Sequence, residues 1–204
     1  MSNSYKYIDP DYTYTDPKTG LLRNLQDINT FDVLLFVESS AVTKRLQELY
    51  ESPIKIEGID SLFKIHRHLF QDIYAWAGKK RMVEISKDGK QFFPTSYFDN
   101  AFRYIDQLIV DFKKNPTDNK KLLAEKLAEI LDNVNYLHPF REGNGRTQRE
   151  FLRLVASEKG LNLNLNPPDN ATVYERYMKG TIESDITTLT ELVFELIATE
   201  NHED

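Results

Sequence analysis

The stretch His138-Pro-Phe-Arg-Glu-Gly-Asn-Gly-Arg-Thr-Gln-Arg149 decides how the rest of the chain is read. It gathers an ionisable base, a carboxylate, two glycines and, after them, two arginines, Arg146 and Arg149. The chain holds 8 glycines in 204 residues, and Gly143 and Gly145 are separated by a single position. Upstream, Leu123, Leu127, Ile130, Leu131 and Val134 recur at helical spacing. Pro139 disfavours helical geometry at His138, so that helix should end near Leu137 and leave the imidazole at its tip. Downstream, Phe151, Leu154 and Val155 mark one face of a second helix, with Gly160 as its stop. Gly143-Asn144-Gly145 therefore opens a helix. Unpaired backbone N–H groups, the positive dipole end and the lack of side chains make that position an anion site.

Arg146 and Arg149 are three apart and can both project from the first turn towards an anion. A sequence built only for stability would place acids there, since cations oppose the dipole. The plain alternative pairs Arg146 with Glu150 at i+4 and leaves Arg149 solvated. After Gly-Asn-Gly, the phosphate reading is preferred.

His138-Pro-Phe-x-Glu-Gly-Asn-Gly-Arg-x-x-Arg149 resembles the signature loop of the Fic family at every defining position. Ile65-His-Arg-x-Leu-Phe-x-Asp-x-Tyr-x-Trp-Ala-Gly78 resembles the segment that precedes it in that family. The likeness is specific from about Ile65 to Val155 and weak at both ends. It implies a mainly α fold, a compact helical bundle with one β-hairpin flap beside the active-site loop.

Composition agrees with one domain spanning 1–204, large enough to bury a core without staples. Hydrophobic residues are 40% and charged ones 28%, ordinary for a soluble globular protein. No cysteine occurs, which excludes disulfides, thiolate catalysis and cysteine zinc sites. The net charge of −6 leaves no broad basic face for nucleic acid. Neither a signal peptide nor a membrane span fits, and the expected compartment is the cytoplasm.

Residues 1–29 are expected to be an extended N-terminal arm, with Asp16-Pro-Lys-Thr-Gly20 as a turn. A helix should run from Thr30 to about Glu51, with Leu34, Val37, Ala41 and Leu49 on its apolar face. A second should run from an Asp60 N-cap through Ile73 and Trp76 to Gly78. Its aromatics, Phe63, Phe70, Tyr74 and Trp76, belong to the core rather than to a ligand cage. Within 79–94, Met82-Val-Glu-Ile85 and Gln91-Phe-Phe93 flank Asp88-Gly89, a hairpin signal, and Pro94 ends the second strand. Further helices follow from Thr95 or Ser96 to Asn115, and near 170–179 and 184–199. Leu161-Asn-Leu-Asn-Leu165 alternates like a short strand ending at Pro167-Pro168.

His66 and His68 are two apart on a helix and make a poor metal pair, so both are read as structural. His202 sits in a polar tail. His138 and Glu142 would begin a zinc site, but no third ligand has the spacing.

The resemblance implies a protein adenylyltransferase. ATP would lie against Gly143, Asn144 and Gly145, with Mg²⁺ bridging its phosphates to Glu142. His138 would take the proton of a target Ser, Thr or Tyr hydroxyl as it attacks the α-phosphorus. Arg146 and Arg149 would hold the β- and γ-phosphates. The target would add as a strand to the flap, against Ile85, Ser86, Lys87, Gln91 and Phe92. Two alternatives stand: transfer of another phosphate-linked group, including phosphorylation, and an ATP-binding module without turnover. The family's inhibitory helix, Ser/Thr-x-x-x-Glu-Gly/Asn, has only near-matches at Thr187 to Glu191 and at Glu200-Asn201. The resemblance therefore implies inhibition by a separate antitoxin-like protein beside Arg149, as in toxin-type members, with growth arrest or filamentation when the chain acts alone.

Overall fold

The structure is a computed structural model that describes residues 5–7, 9, 12–87, 89–165 and 170–199. Asp88, Pro167-Pro168, Glu200-Asn201 and His202 lie outside the described residues. Seven α-helices occur among the described residues: α1 (Phe31–Glu51), α2 (Asp60–Phe70), α3 (Phe98–Lys114), α4 (Lys120–Leu137), α5 (Asn144–Ser157), α6 (Ala171–Glu183) and α7 (Ile186–Leu196). The mainly α bundle with a small hairpin is thus the fold that the sequence implied.

Helix α4 is the centre of the bundle because its apolar residues run on both sides of the i, i+3, i+4 stripe. Leu123, Ala124, Leu127, Ala128, Ile130, Leu131, Val134 and Leu137 are all buried, and α4 packs against α3, α5 and α7. Asn119 caps it, its side chain accepting from the backbone N–H groups of Lys121 and Leu122. Burying this stripe fixes where α4 ends, and that end carries His138.

Helix α2 is shorter than the periodicity of Ile73 and Trp76 suggested. It ends at Phe70, and residues 71–78 continue as turns that keep Ile73 and Tyr74 in the core. Its N-cap position is Ile59 rather than Asp60. The cap comes from another helix: Asp106 on α3 accepts from the Ile59 N–H at 2.6 Å.

The hairpin is also shorter than Met82–Phe93 implied. Strands β2 (Ile85–Lys87) and β3 (Lys90–Gln91) pair antiparallel, Ser86 opposite Gln91. Phe92 still donates its N–H to the Ile85 carbonyl at 3.1 Å while its ring turns to the end of α4, and Phe93 bonds α4 itself, its N–H donating to the Tyr136 carbonyl at 3.0 Å. The sheet has a third strand, β1 (Tyr5–Tyr7), which pairs antiparallel with β2, Tyr7 opposite Ile85. Between β1 and α1 the chain turns at residues 16–20, where the Gly20 N–H donates to the Asp16 carbonyl. Tyr14 is buried against Val83 and Ile85, a small cluster beneath the hairpin. Leu161, Leu163 and Leu165 are buried in alternation, but only β4 (Leu161–Asn162) is a strand, paired with β5 (Ala198–Thr199).

Candidate active site

His138 is the C-cap of α4 and adopts φ 43°, ψ 60°, the left-handed conformation, just before Pro139. Its Nδ1 lies 3.1 Å from the Asn135 carbonyl. A carbonyl only accepts, so Nδ1 carries the proton and Nε2 is the basic nitrogen. The ring is buried and stacks on Phe92 of the hairpin, centroids 3.8 Å apart at 18°. Burial pushes its pKa down to about 3, the Asn135 hydrogen bond opposes, and nearby Arg81 and Lys87 add to the lowering. The imidazole is therefore neutral at pH 7, as a general base must be.

The loop from His138 to α5 is tied to itself. Asn144 Oδ1 accepts from the Phe140 N–H at 2.9 Å, and its Nδ2 donates to the Phe140 carbonyl at 2.8 Å. The Asn144 side chain is thereby committed to the loop and leaves only its backbone N–H for a phosphate. Phe140 is buried and stacks on His66 at 3.8 Å. His66 Nδ1 accepts from the Gly78 N–H at 2.8 Å, so its proton sits on Nε2, which donates to the Glu142 carbonyl at 3.0 Å. His66 is structural, as the sequence suggested, and the structure it holds is this loop.

Gly143 is the N-cap of α5 at φ 81°, with no side chain to cap the helix. A Cβ there would fall 2.4 Å from Phe70. The N–H groups of the first turn are thus left for a ligand. Over them lie the arginines, which diverge. Arg146 pairs with Glu38 of α1 at 2.5 Å, reaches to 3.8 Å from Glu142 and rests on the Phe70 ring. Arg149 lies over the rings of Tyr174 and Tyr177 on α6. The i+4 pair with Glu150 does not form, because Glu150 pairs with Arg153 at 2.5 Å. Glu142 Oε1 accepts from the Gly143 N–H at 2.9 Å.

A cavity of 210 Å³ opens beside the loop. His138, Gly145 and Gln148 line it from the loop and α5, Lys87, Lys90, Gln91 and Phe92 from the hairpin, and Tyr177, Met178 and Thr181 from α6. Lys90 Nζ donates to the Ile182 carbonyl at 3.1 Å, fastening the hairpin to α6. One chamber therefore joins the His138 imidazole, the start of α5 and the hairpin.

Residues 56–156 match the Fic/DOC family. Protein adenylyltransferase VbhT of Bartonella schoenbuchensis is 36% identical over 159 residues, 78% of this chain and 33% of the relative. The Sinorhizobium fredii protein named probable protein adenylyltransferase y4lH is 33% identical over 149 residues, 72% of this chain and 76% of the relative. This chain belongs to the Fic/DOC family. Its fold matches the crystal structure of BepC from Bartonella tribocorum, which holds AMPPNP, with a TM-score of 0.80 and 18% identity over 93% of this chain and 98% of that one. The chain spans a third of VbhT's length and three quarters of y4lH's.

Against this Fic fold, the expected flap residues divide. Lys87, Gln91 and Phe92 line the cavity, whereas Ile85 is buried with Tyr14 and Val83. Ser86 is half-buried in the middle of β2, whose outer edge is taken by β1. β1 and β3 are the two edges of the sheet, and Lys90 and Gln91 of β3 line the cavity together with Lys87 of β2. Glu191 is exposed on α7. No cluster of three or more His, Cys, Asp or Glu suited to a metal occurs among the described residues.

Two residues at the site were not singled out by the sequence. Glu38 is 6% exposed, pairs with Arg146 and accepts from the Tyr74 hydroxyl. Its signal was there to read, since Glu38 sits between Leu34 and Val42 on the buried stripe of α1. Arg81 is 1% exposed at the root of the hairpin, and its neighbours Lys79 and Lys80 made it look like one more solvated cation.

Proposed function

We infer that the chain is a protein adenylyltransferase that moves AMP from ATP to a Ser, Thr or Tyr hydroxyl of a target protein. The observation that carries this is the single cavity shared by His138, Gly145 and the Gln91–Phe92 edge of the flap. ATP lays its phosphates against Gly143 and on the N–H groups of Asn144 and Gly145, with Arg146 and Arg149 as cationic partners. Nε2 of His138 takes the hydroxyl proton while the oxygen bonds to the α-phosphorus. The bond from that phosphorus to the α–β bridging oxygen breaks, and pyrophosphate leaves. Positioning and charge stabilisation supply most of the rate.

Mg²⁺ fits this site as a companion of the nucleotide. A single carboxylate, Glu142, with Oε2 still available beside the Gly143 contact, suits a hard cation that keeps waters and takes phosphate oxygens. Bound there, the ion would neutralise phosphate charge. The target segment adds along β3, in reach of His138, because β1 already holds the other edge of the sheet.

Control belongs to a separate, antitoxin-like protein. A groove of 410 Å³ between α1 and α5 supports this, lined by Arg146, Arg149 and Arg153 on one side and Ser39, Val42 and Leu46 on the other. Phe31, Leu35 and Phe36, exposed large apolar residues of α1, lie one and two turns before Ser39. An acidic amphipathic helix would match both the apolar residues and the arginines. A cytoplasmic setting, where ATP is abundant, completes the reading.

Incubation of the purified chain with cell lysate and either α-³²P-ATP or γ-³²P-ATP tests the reaction. Label should enter protein from the α position only, and His138→Ala should abolish it with ATP affinity nearly intact. Transfer of the γ label would instead mean phosphorylation, and no transfer at all would leave a binding module.

A further inference from the structure

A buried guanidinium needs acceptors on every side, and Arg81 finds its acceptors in two different parts of the site. Its Nε donates to the His138 carbonyl at 2.9 Å. Its Nη1 donates to the Val83 carbonyl at 2.7 Å and reaches Glu84 Oε2 at 3.3 Å. Its Nη2 donates to the Phe93 carbonyl at 2.6 Å. Val83 precedes β2 and Phe93 follows β3, so one planar fork grips both legs of the flap and the backbone of the base. The Arg81 N–H adds a bond to the Pro139 carbonyl at 2.7 Å. The ring of Phe98 closes the remaining face, 4.9 Å from the guanidinium carbon.

Such burial costs several kcal/mol unless each N–H is matched, and a charge is an unneeded means of closing a hairpin. Apolar residues would hold the two legs together as well. What a five-donor fork adds is fixed angles and distances between three separate carbonyls. The main-chain bond from the Phe93 N–H to the Tyr136 carbonyl, at 3.0 Å, and the Phe92–His138 stack work in the same direction.

We propose that Arg81 is a positioning residue that sets the register between the flap and His138, and so the place at which a target hydroxyl meets Nε2. The proposal rests on the adenylyltransferase reading. It assigns Arg81 to the transfer step and to the target, with no part in nucleotide binding, since every Arg81 contact is to the flap, His138, Pro139 or Phe98.

The test compares wild type, Arg81→Lys, Glu84→Gln and His138→Ala as full chains. Label transfer from α-³²P-ATP to lysate protein is measured at saturating ATP, with ATP affinity by calorimetry and Tm by circular dichroism. Lysine keeps the charge and loses the fork. Arg81→Lys should lower transfer about 10–100-fold, the scale of an ångström-sized misplacement, with the ATP Kd within about twofold of wild type. Glu84→Gln alters the exposed partner on the Oε2 side that meets Arg81, keeps an amide oxygen able to accept from Thr95 and leaves the core intact, so it keeps the test alive if Arg81→Lys fails to fold. It should lower transfer several-fold at an unchanged Tm. A structural role alone predicts transfer and ATP affinity falling together with Tm, and that result overturns the proposal, as does wild-type transfer in Arg81→Lys or in Glu84→Gln. If His138→Ala keeps full transfer, the adenylyltransferase reading itself fails, whatever Arg81 does.

Discussion

Acidification from pH 7 to pH 5 should remove about 4 kcal/mol of folding stability, and two histidines of the site set that figure. His66 and His138 are both buried, and burial pushes each pKa down to about 3. In the unfolded chain each returns to about 6.5. The folded value is the lower one, so below pH 6.5 the unfolded state binds more protons than the folded state. Stability is then fully present above about pH 6.5 and is lost as pH falls towards 3, with a limiting slope of about 1.4 kcal/mol per unit for each ring. Between pH 7 and 5 the integrated loss is about 2 kcal/mol per histidine. That is a large part of the 5–15 kcal/mol typical of a folded domain. Urea midpoints at pH 7, 6 and 5 measure it. His66→Gln offers a non-titrating amide at a position where the ring donates to Glu142 and accepts from Gly78. That variant should start less stable and lose about half as much on acidification. Equal losses in wild type and variant would refute the account, as would a flat wild-type profile between pH 7 and 5.

Gly143→Ala should cost about 2–4 kcal/mol, from a left-handed backbone and from a Cβ placed 2.4 Å from the buried Phe70 ring; thermal melts check it, and an unchanged Tm would contradict the packing described. Glu142→Ala should lose Mg²⁺-dependent nucleotide binding, and EDTA should silence the wild type; undiminished transfer in EDTA would remove the metal from the site. Expressed alone, the chain should slow growth or filament cells, and co-expression of an acidic helical partner should reverse this through the α1–α5 groove; insensitivity of that rescue to Phe36→Glu, at an exposed α1 residue outside the ATP site, would place the partner elsewhere.

The loop was legible because its constraints are local. Pro139 ends α4, Gly143 permits the turn, and the apolar periods on either side belong to helices whose ends then meet. The helix count and the hairpin were legible for the same reason. What the sequence hid depends on contacts between distant segments. Ile73 and Trp76 continue the period of α2, yet the chain must leave the helix so that the Gly78 N–H can reach His66. The cap of α2 belongs to Asp106, 47 positions from Ile59. Strand β1 carries no alternation strong enough to mark it, and its pairing is made by backbone groups that are alike at every residue. Glu38 and Arg81 look like ordinary charged residues until the fold brings Arg146 to one and three carbonyls to the other.

Placing two arginines at the start of α5 opposes the helix dipole, and the way this is tolerated bears on how the site works. Arg146 is neutralised by Glu38, whose other oxygen is held by the Tyr74 hydroxyl, so an incoming phosphate meets a guanidinium already fixed in place. Arg149 is held by π faces instead, those of Tyr174 and Tyr177, and no salt bridge occupies it among the described residues. The two cations are therefore unequal before any ligand arrives. Arg146 must share its charge with a carboxylate, whereas Arg149 can offer its full charge to a phosphate or to an inhibitor's acid. Beneath them, Asn144 and His66 satisfy the loop's inward-facing groups, leaving the N–H groups of the first turn outward. On the adenylyltransferase reading, this first turn is an anion site built in advance of its ligand, with little reorganisation left for the moment of transfer.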